Sequence, residues 1–298
     1  MHRTTLGGTQ MNRKKWAVLV LSLLLLLPIR AFADAATGDM IITLGANLTE
    51  EQKKLLLTEM KAPDDAEIIT VTNEEEHKYL GSYISKRLIG TKAISSSAIT
   101  IADAGSGINV KTKNINWVTD EMYINALITA GVKDADIYVT APIQVSGTAA
   151  LTGIIKAYEV STDTKIPEEV KQAANEEMVE TANLGEEIGT DKASALMAKI
   201  KEKIAENKPS TDAELQKIID DAANDLNITL TDAQKQTLMD FFNKLKDLDI
   251  NWNQVGDQLQ DAKDKFNAFI ESEEGQGFLA KVKEFFASIV DAIKSFFS

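Results

Sequence analysis

The densest alternation of helical and extended patterns in the chain lies between residues 114 and 158. The first helix of this region is predicted to begin after Thr119, whose side chain can accept a hydrogen bond from the first turn. Asp120 and Glu121 follow in that turn, where the positive end of the helix dipole favours acidic groups. Gly131 is predicted to end the helix, because glycine adopts the left-handed conformation of a C-terminal stop.

A buried strand and a second helix are predicted to follow immediately. The run from Asp136 to Thr140 is β-branched and aromatic, as strands are, and we expect Pro142 to end it. An Ala- and Leu-rich helix is predicted to open at Ser146 and to reach Tyr158. A helix, a strand and a helix in such close succession are typical of α/β architecture.

Two capping boxes predict helices nearer the start of the chain. Thr49 and Gln52 have the required spacing, in which each side chain bonds a backbone N–H at the other residue. Thr72 with Glu75, or alternatively Asn73 with Glu76, repeats this spacing, and the apolar positions that follow predict a helix as far as Ile89. Both helices are therefore expected to have well-defined starts.

Three further strands are predicted between and after these helices. Residues 67–72 are largely β-branched without clear alternation, which predicts a strand buried on both faces. Residues 98–102 and 108–112 form two more strand patterns, and the Gly- and Ser-containing segment 103–107 between them predicts a hairpin loop.

Strand patterns disappear beyond residue 160, and long polar-apolar helical patterns take their place. Two more capping boxes mark helix starts there, at Thr211 with Glu214 and at Thr231 with Gln234. We place a boundary near residues 161–166. The prediction is an α+β fold, with an N-terminal α/β-type domain over residues 34–160 followed by an all-α helical array over residues 161–298.

The first 33 residues have the pattern of a secretory signal peptide. Three basic residues at positions 13–15 precede an apolar run from Trp16 to Leu27, and Ala31-Phe-Ala33 fits the small-residue cleavage rule. A retained membrane anchor is the alternative, but this run is short against the roughly 20 residues that a bilayer requires. We expect a secreted, extracytoplasmic protein, translated from either Met1 or Met11.

Charge and cysteine content exclude several classes of function. The chain contains no cysteine, which excludes disulfides, thiolate metal sites and cysteine nucleophiles. Five basic residues and no acidic ones precede residue 34, so the remainder has 27 basic against 45 acidic groups, net −18. Such a body repels polyanions, so no nucleic-acid partner is expected, whereas cations and cationic wall components fit.

Two segments of the central region resemble a known family. Residues 131–142, Gly-Val-Lys-Asp-Ala-Asp-Ile-Tyr-Val-Thr-Ala-Pro, and residues 146–153, Ser-Gly-Thr-Ala-Ala-Leu-Thr-Gly, are similar to the YpuA-like family of secreted Gram-positive proteins. The resemblance extends over most of the chain after the leader. It implies an envelope setting in Gram-positive bacteria, but this is a domain-of-unknown-function family and supplies no catalytic residue or ligand.

Catalytic constellations are scarce in the sequence. His77 is the one histidine after the leader, and it follows three glutamates on a predicted helix, where a solvated role is the ordinary one. No serine lies in a Gly-x-Ser-x-Gly elbow. Paired carboxylates remain an alternative, since glycoside hydrolysis requires just two of them.

Residues Ser146, Gly147 and Thr148 form a candidate anion site. They lie at a predicted helix start, where backbone N–H groups and the helix dipole favour negative charge. The alternative is structural: Ser146 caps the helix and Gly147 eases a tight turn. Neither a P-loop lysine nor a Gly-x-Gly-x-x-Gly pattern accompanies them.

A candidate calcium loop follows the helices of the second half. Its possible ligands are Asp247, Asp249, Asn251 and Asn253, at loop positions 1, 3, 5 and 7. Trp252 takes the place of the usual glycine and Gln258 that of the bidentate glutamate, so we expect calcium to have little effect. The alternative is a polar turn in which Asp249 or Asn251 caps the next helix.

The last predicted element is an amphipathic helix from Phe278 to Phe297. Its apolar residues recur at helical spacing on one face. That face either packs on the helical domain or makes peripheral contact with a membrane surface or a partner.

From the sequence we predict a non-catalytic envelope protein that needs no cofactor and binds an envelope component or protein of unknown identity. The alternative is an envelope hydrolase that uses paired carboxylates.

Overall fold

The structure is a computed structural model that describes residues 37–84 and 89–260. The strands are β1 (Met40–Gly45), β2 (Glu67–Val71), β3 (Ser96–Ile101), β4 (Ile108–Ile115) and β5 (Ala135–Val145). The helices are α1 (Glu50–Glu59), α2 (Asn73–Leu80), α3 (Asp120–Thr129), α4 (Thr148–Thr162), α5 (Glu168–Ile188), α6 (Thr190–Asn207), α7 (Asp212–Asp225) and α8 (Asp232–Lys246). Residues 252–260 are also helical.

The five strands form one mixed sheet in the order β2-β1-β3-β5-β4. β1 pairs with β2, and β4 with β5, in parallel, whereas β3 runs antiparallel to both of its neighbours. The predicted α+β class is confirmed, with an α/β region followed by a run of helices. The hairpin predicted around residues 103–107 is wrong, because β5 inserts between β3 and β4 and takes the pairing of both strands.

Pro142 does not end β5, contrary to the sequence prediction. The strand continues to Val145 because Pro142 lies beyond the last pair with β3, at Thr140, and opposite a bulge in β4. At this bulge Asn114 has a φ of 60°, and its side-chain amide donates to the carbonyl oxygen of Ala141 at 2.7 Å. Since no ladder bond requires its missing N–H, proline is tolerated in the strand.

The two faces of the sheet bury cores of different size. Side chains alternate along β1, so that Ile41 and Thr43 point to the face covered by α4, and Ile42 and Leu44 to the face covered by α1. The larger core, which includes residues of α2 to α5, lies on the α4 face. The prediction that residues 67–72 form a fully buried strand is wrong, because β2 is an edge strand.

Helix starts follow the sequence signals closely. Thr49, Thr72, Thr211 and Thr231 each form the predicted capping box, and Thr119 accepts a hydrogen bond from the backbone N–H of Met122. Helix α2 ends at Leu80, earlier than expected. Residues 85–88, the predicted leader over residues 1–33 and the predicted amphipathic helix from Phe278 to Phe297 fall outside the described residues.

The boundary predicted near residues 161–166 lies between α4 and α5. The large core nevertheless continues across it, since Val170, Met178 and Val179 of α5 belong to the same apolar cluster as the sheet. A second cluster fills the space among α6, α7 and α8. The division into two domains stays a prediction. Within the described ranges no helix is long and apolar enough to cross a bilayer.

A buried ion pair joins the sheet-side helix α3 to α5 and α6. Lys201 Nζ lies 2.7 Å from Glu177 Oε1, and both side chains are 0% exposed. The ammonium also donates to the carbonyl oxygen of Asn125 at 2.7 Å, and the Thr129 hydroxyl donates to the second oxygen of Glu177. Such pairs are held by their hydrogen bonds, because each charge left alone would lack solvation.

Replacement of one partner of this pair should destabilise the fold strongly. Lys201→Met leaves the Glu177 charge buried and uncompensated, so the free energy of unfolding in urea should fall by about 3 to 5 kcal/mol. Lys217→Met is the matched control, because its pair with Asp221 is exposed and such pairs contribute about 0 to 1 kcal/mol. Equal losses for the two variants would contradict this account.

Candidate functional site

The start of α4 is shaped by a glycine that no other residue can replace without strain. Gly147 is the N-cap residue, with a φ of 94°, and makes no side-chain cap bond. A Cβ atom built on it would lie 2.5 Å from both Ile115 Cγ2 and the Tyr123 hydroxyl. That hydroxyl donates to the Gly147 carbonyl oxygen at 2.5 Å. Thus β4 and α3 close tightly on the first turn of α4.

Glu76 of α2 lies beside this turn and is 2% exposed. The Thr148 hydroxyl donates to its Oε1 at 2.6 Å, and the Asn73 amide donates to its Oε2 at 3.2 Å. Burial raises the pKa of the Glu76 carboxyl, although these two hydrogen bonds and the charge of His77 act in the opposite direction. A carboxyl group of shifted acidity therefore lies at the start of α4.

The sequence indicated Glu76 as an alternative capping partner of Asn73 but not as a buried acid, because three consecutive glutamates beside a histidine are typical of a solvated helix surface. The sequence nevertheless contained a pattern that indicates an inward-facing Glu76. Glu76, Leu80 and Ile84 follow one another at intervals of four residues, and all three are buried. Helical neighbours at this spacing share one face, so the apolar stripe marked Glu76 as an inward-facing acid.

A cavity of about 270 Å³ opens onto this carboxyl group. Its lining comes from the end of β5, the start of α4, Glu76 and residues 89–95, and the described polar side chains are Glu76, Thr91, Lys92, Ser95, Ser146 and Thr148. Ser95 is 6% exposed and also lines the cavity. We call this cavity, with its lining residues, the Glu76 cleft.

The candidate anion-site residues Ser146, Gly147 and Thr148 lie together at the start of α4, as predicted, but the acidic side chain of Glu76 lies beside them. Thr148 is buried and uses its hydroxyl proton on Glu76, while Ser146 Oγ lies 3.2 Å from Thr148 Oγ1. The predicted structural alternative is half correct: Gly147 forms the tight turn, but it is also the cap, and Ser146 is not. Anion binding here stays a prediction, and an ionised Glu76 opposes it.

His77 is neither solvated nor aligned with a nucleophile. Its ring nitrogen Nε2 lies 3.1 Å from the carbonyl oxygen of Gly90, and the side chain is half-buried. In this position the imidazole links α2 to the segment that lines the Glu76 cleft.

The candidate calcium residues Asp247, Asp249, Asn251 and Asn253 form a polar turn. Asp247 caps the end of α8, and the Asn251 side chain accepts a hydrogen bond from the Gln254 backbone N–H at 3.1 Å. Asn251 therefore caps the helix that begins at Trp252, as the structural alternative predicted.

Two lysines lie beside this turn. A cavity of about 400 Å³ beside it is lined by Lys208 and Lys246 together with Asn251 and Asn253. No group of three or more acidic, histidine or cysteine side chains suited to a metal ion occurs within the ranges 37–84 and 89–260. Calcium binding at this turn stays an untested prediction, and the neighbouring ammonium groups disfavour it.

Comparison with known proteins identifies the family of this chain. Residues 44–262 match the model of a family described as "Protein of unknown function (DUF1002)". The chain belongs to the DUF1002 family. This DUF1002 chain is 60% identical over 276 residues to a Bacillus subtilis (strain 168) protein, "Uncharacterized protein YpuA". The aligned region covers 92% of the chain and 95% of that relative. The predicted family is confirmed. No solved structure matches the chain.

We predict that Gly147→Ala destabilises the protein by about 3 kcal/mol, because a positive φ and an overpacked Cβ are combined at this position. Gly131→Ala is the control: its φ is 79°, but its nearest atom, Gln254 Nε2, would lie 3.9 Å away. That variant should lose about 1 kcal/mol, from backbone strain alone. Chemical denaturation measures both values, and equal losses would show that the packing around Gly147 is not tight.

We also predict a pH-dependent advantage for Glu76→Gln. The raised pKa means that the folded protein holds this proton more tightly than the unfolded chain, whose reference value is 4.5. Wild-type stability therefore falls relative to the variant as pH rises above 4.5 through the folded-state pKa, and the difference then levels off. Thermal unfolding at several pH values tests this, with Glu74→Gln on the exposed side of α2 as control. A constant difference between wild type and Glu76→Gln would contradict the prediction.

Proposed function

We propose that this protein is a secreted, non-catalytic component of the Gram-positive cell envelope that acts by binding. The Glu76 cleft is the main support for a binding role, because it combines a concave surface with a buried carboxyl group and the buried serine Ser95. The leader pattern in residues 1–33 supports the compartment. The kinship with a Bacillus subtilis protein supports the Gram-positive setting.

The partner we propose is an envelope component or an envelope protein. After the leader, acidic residues outnumber basic ones by 18, so a cationic or neutral partner meets less repulsion than a polyanion does. Nucleic acid is a poor partner for the same reason.

The alternative function is hydrolysis of peptidoglycan or another glycan. Such enzymes hold two carboxyl groups about 5 to 9.5 Å apart, one as acid and one as nucleophile or base. Among the described residues that line the Glu76 cleft, Glu76 is the single acid. Its hydrogen-bond partners there are an amide and a hydroxyl, which do not replace a second carboxylate. This geometry favours binding over hydrolysis.

The compartment is tested by cell fractionation with N-terminal sequencing of the recovered protein. We expect the protein in the wall or culture fraction with Asp34 as its first residue. A variant with Ala31→Phe and Ala33→Phe is the control, because bulky residues violate the small-residue cleavage rule and should leave the leader attached. Recovery of wild-type protein in the cytoplasm, or with residues 16–27 still attached outside, would contradict the proposal.

The binding role is tested by incubation of the purified protein with isolated peptidoglycan. We expect association with envelope fractions without release of soluble fragments, and Glu74→Gln should behave like wild type because Glu74 lies on the exposed side of α2. Release of glycan fragments that is abolished by Glu76→Gln but retained by Glu74→Gln would establish the hydrolase instead.

A further inference from the structure

The two most deeply buried glutamates of the described residues, Glu177 and Glu76, differ in whether a described basic side chain pairs with them. Glu177 has Lys201 at 2.7 Å, so its charge is compensated inside the protein. Glu76 has no ammonium or guanidinium partner among the described residues, and its ionised form is favoured by the hydrogen bonds from Thr148 and Asn73 and by the charge of His77. A buried carboxylate without a counter-ion is costly, and proteins pair such groups or place them where a ligand can pair them.

In the cleft, the hydroxyl and amide groups beside Glu76 donate their hydrogen bonds to its carboxylate oxygens. Thr148 has one hydroxyl proton and uses it on Glu76 Oε1, so in the 3.2 Å contact between Ser146 and Thr148 the proton must come from Ser146. The Ser146 oxygen therefore keeps its lone pairs as acceptors. With the Glu76 oxygens and the hydroxyl oxygen of Ser95, the cleft offers several acceptors to a group rich in donors.

We propose that the Glu76 cleft binds a small organic amine, whose ammonium group pairs with the Glu76 carboxylate and whose remaining polar groups contact Ser95 and Ser146. This inference rests on the proposed binding function and specifies its ligand class. An ammonium group supplies both the missing counter-charge and three donors for the acceptors of the cleft.

Size and charge exclude other ligand classes. A volume of about 270 Å³ corresponds to roughly nine water molecules, which suits a ligand the size of a monosaccharide or amino acid. A divalent cation requires several oxygen ligands of which more than one is usually a carboxylate, and the described lining offers one. A neutral polyol leaves the Glu76 charge uncompensated. Lys92 also lines the cleft, but it is exposed, so water and salt screen its repulsion of an amine.

Titration calorimetry with glucosamine, N-acetylglucosamine and glucose tests the proposal, using the protein as the cell produces it. The three sugars share a ring, and glucosamine alone has a free ammonium group. We expect glucosamine to bind about tenfold or more tightly than the other two, as the strength of a charge-assisted hydrogen bond implies. High salt should weaken binding modestly, because the ion pair is largely buried.

Variants assign the binding to the cleft. Glu76→Gln keeps the size of the side chain and removes its charge, so glucosamine should bind this variant no better than glucose. Glu74→Gln removes the same charge from the exposed side of α2 and should bind glucosamine like wild type. Ser95→Ala should weaken binding about threefold to tenfold through loss of one hydrogen bond. Thermal unfolding confirms that each variant is folded.

Two results would overturn the proposal: wild-type protein that does not prefer glucosamine over glucose, or unchanged glucosamine binding by Glu76→Gln. Either result leaves the proposed envelope role intact if the protein still associates with envelope fractions. Conversely, a protein retained in the cytoplasm refutes the envelope role, while calorimetry on the purified protein still decides the ligand class. The two proposals therefore fail separately.

Discussion

The close approach of α4 to the sheet is the constraint on which the rest of the structure depends. Gly153 permits it, because a Cβ atom at this position would lie 2.7 Å from Thr43 Oγ1 and 3.1 Å from a methyl group of Val71. Beneath the helix, the hydroxyls of Thr43 and Ser97 bond to each other at 2.6 Å and so satisfy two buried polar groups of neighbouring strands. A larger residue at 153 would lift the helix from β1 and β2.

Close packing of α4 also creates the site. Its first turn is fixed between Ile115 and Tyr123, and this position brings Thr148 within hydrogen-bond distance of Glu76. Helix α2 is consequently held with an acidic residue facing inward, where burial disfavours the ionised form. The fold thus maintains an unfavourable group at the wall of a cavity, whereas the equally buried Glu177 has an internal lysine partner. This contrast is the physical reason for assigning Glu76 to function rather than to stability.

Local sequence patterns predicted the starts and ends of several helices. Capping boxes and C-terminal glycines involve residues only a few positions apart, so their spacing can be recognised in the sequence. Thr49, Thr72 and Gly131 are examples. The pairing of β5 between β3 and β4 was not predictable in this way, since strand order depends on contacts between distant residues. The same holds for β2, whose β-branched residues indicate a strand but not its place at the edge, where Ile68 is 48% exposed. Glu76 was missed because its charge was given more weight than its helical spacing.

The most direct test of this account is an NMR titration of the Glu76 side-chain carboxyl carbon in the free protein and with glucosamine present. The account predicts a pKa above the reference value of 4.5 in the free protein, because burial disfavours the charged carboxylate. It further predicts that this pKa falls when glucosamine binds, since a nearby ammonium group favours the carboxylate. A Glu76 carboxyl that titrates at or below 4.5 and does not respond to the amine would contradict the central claim.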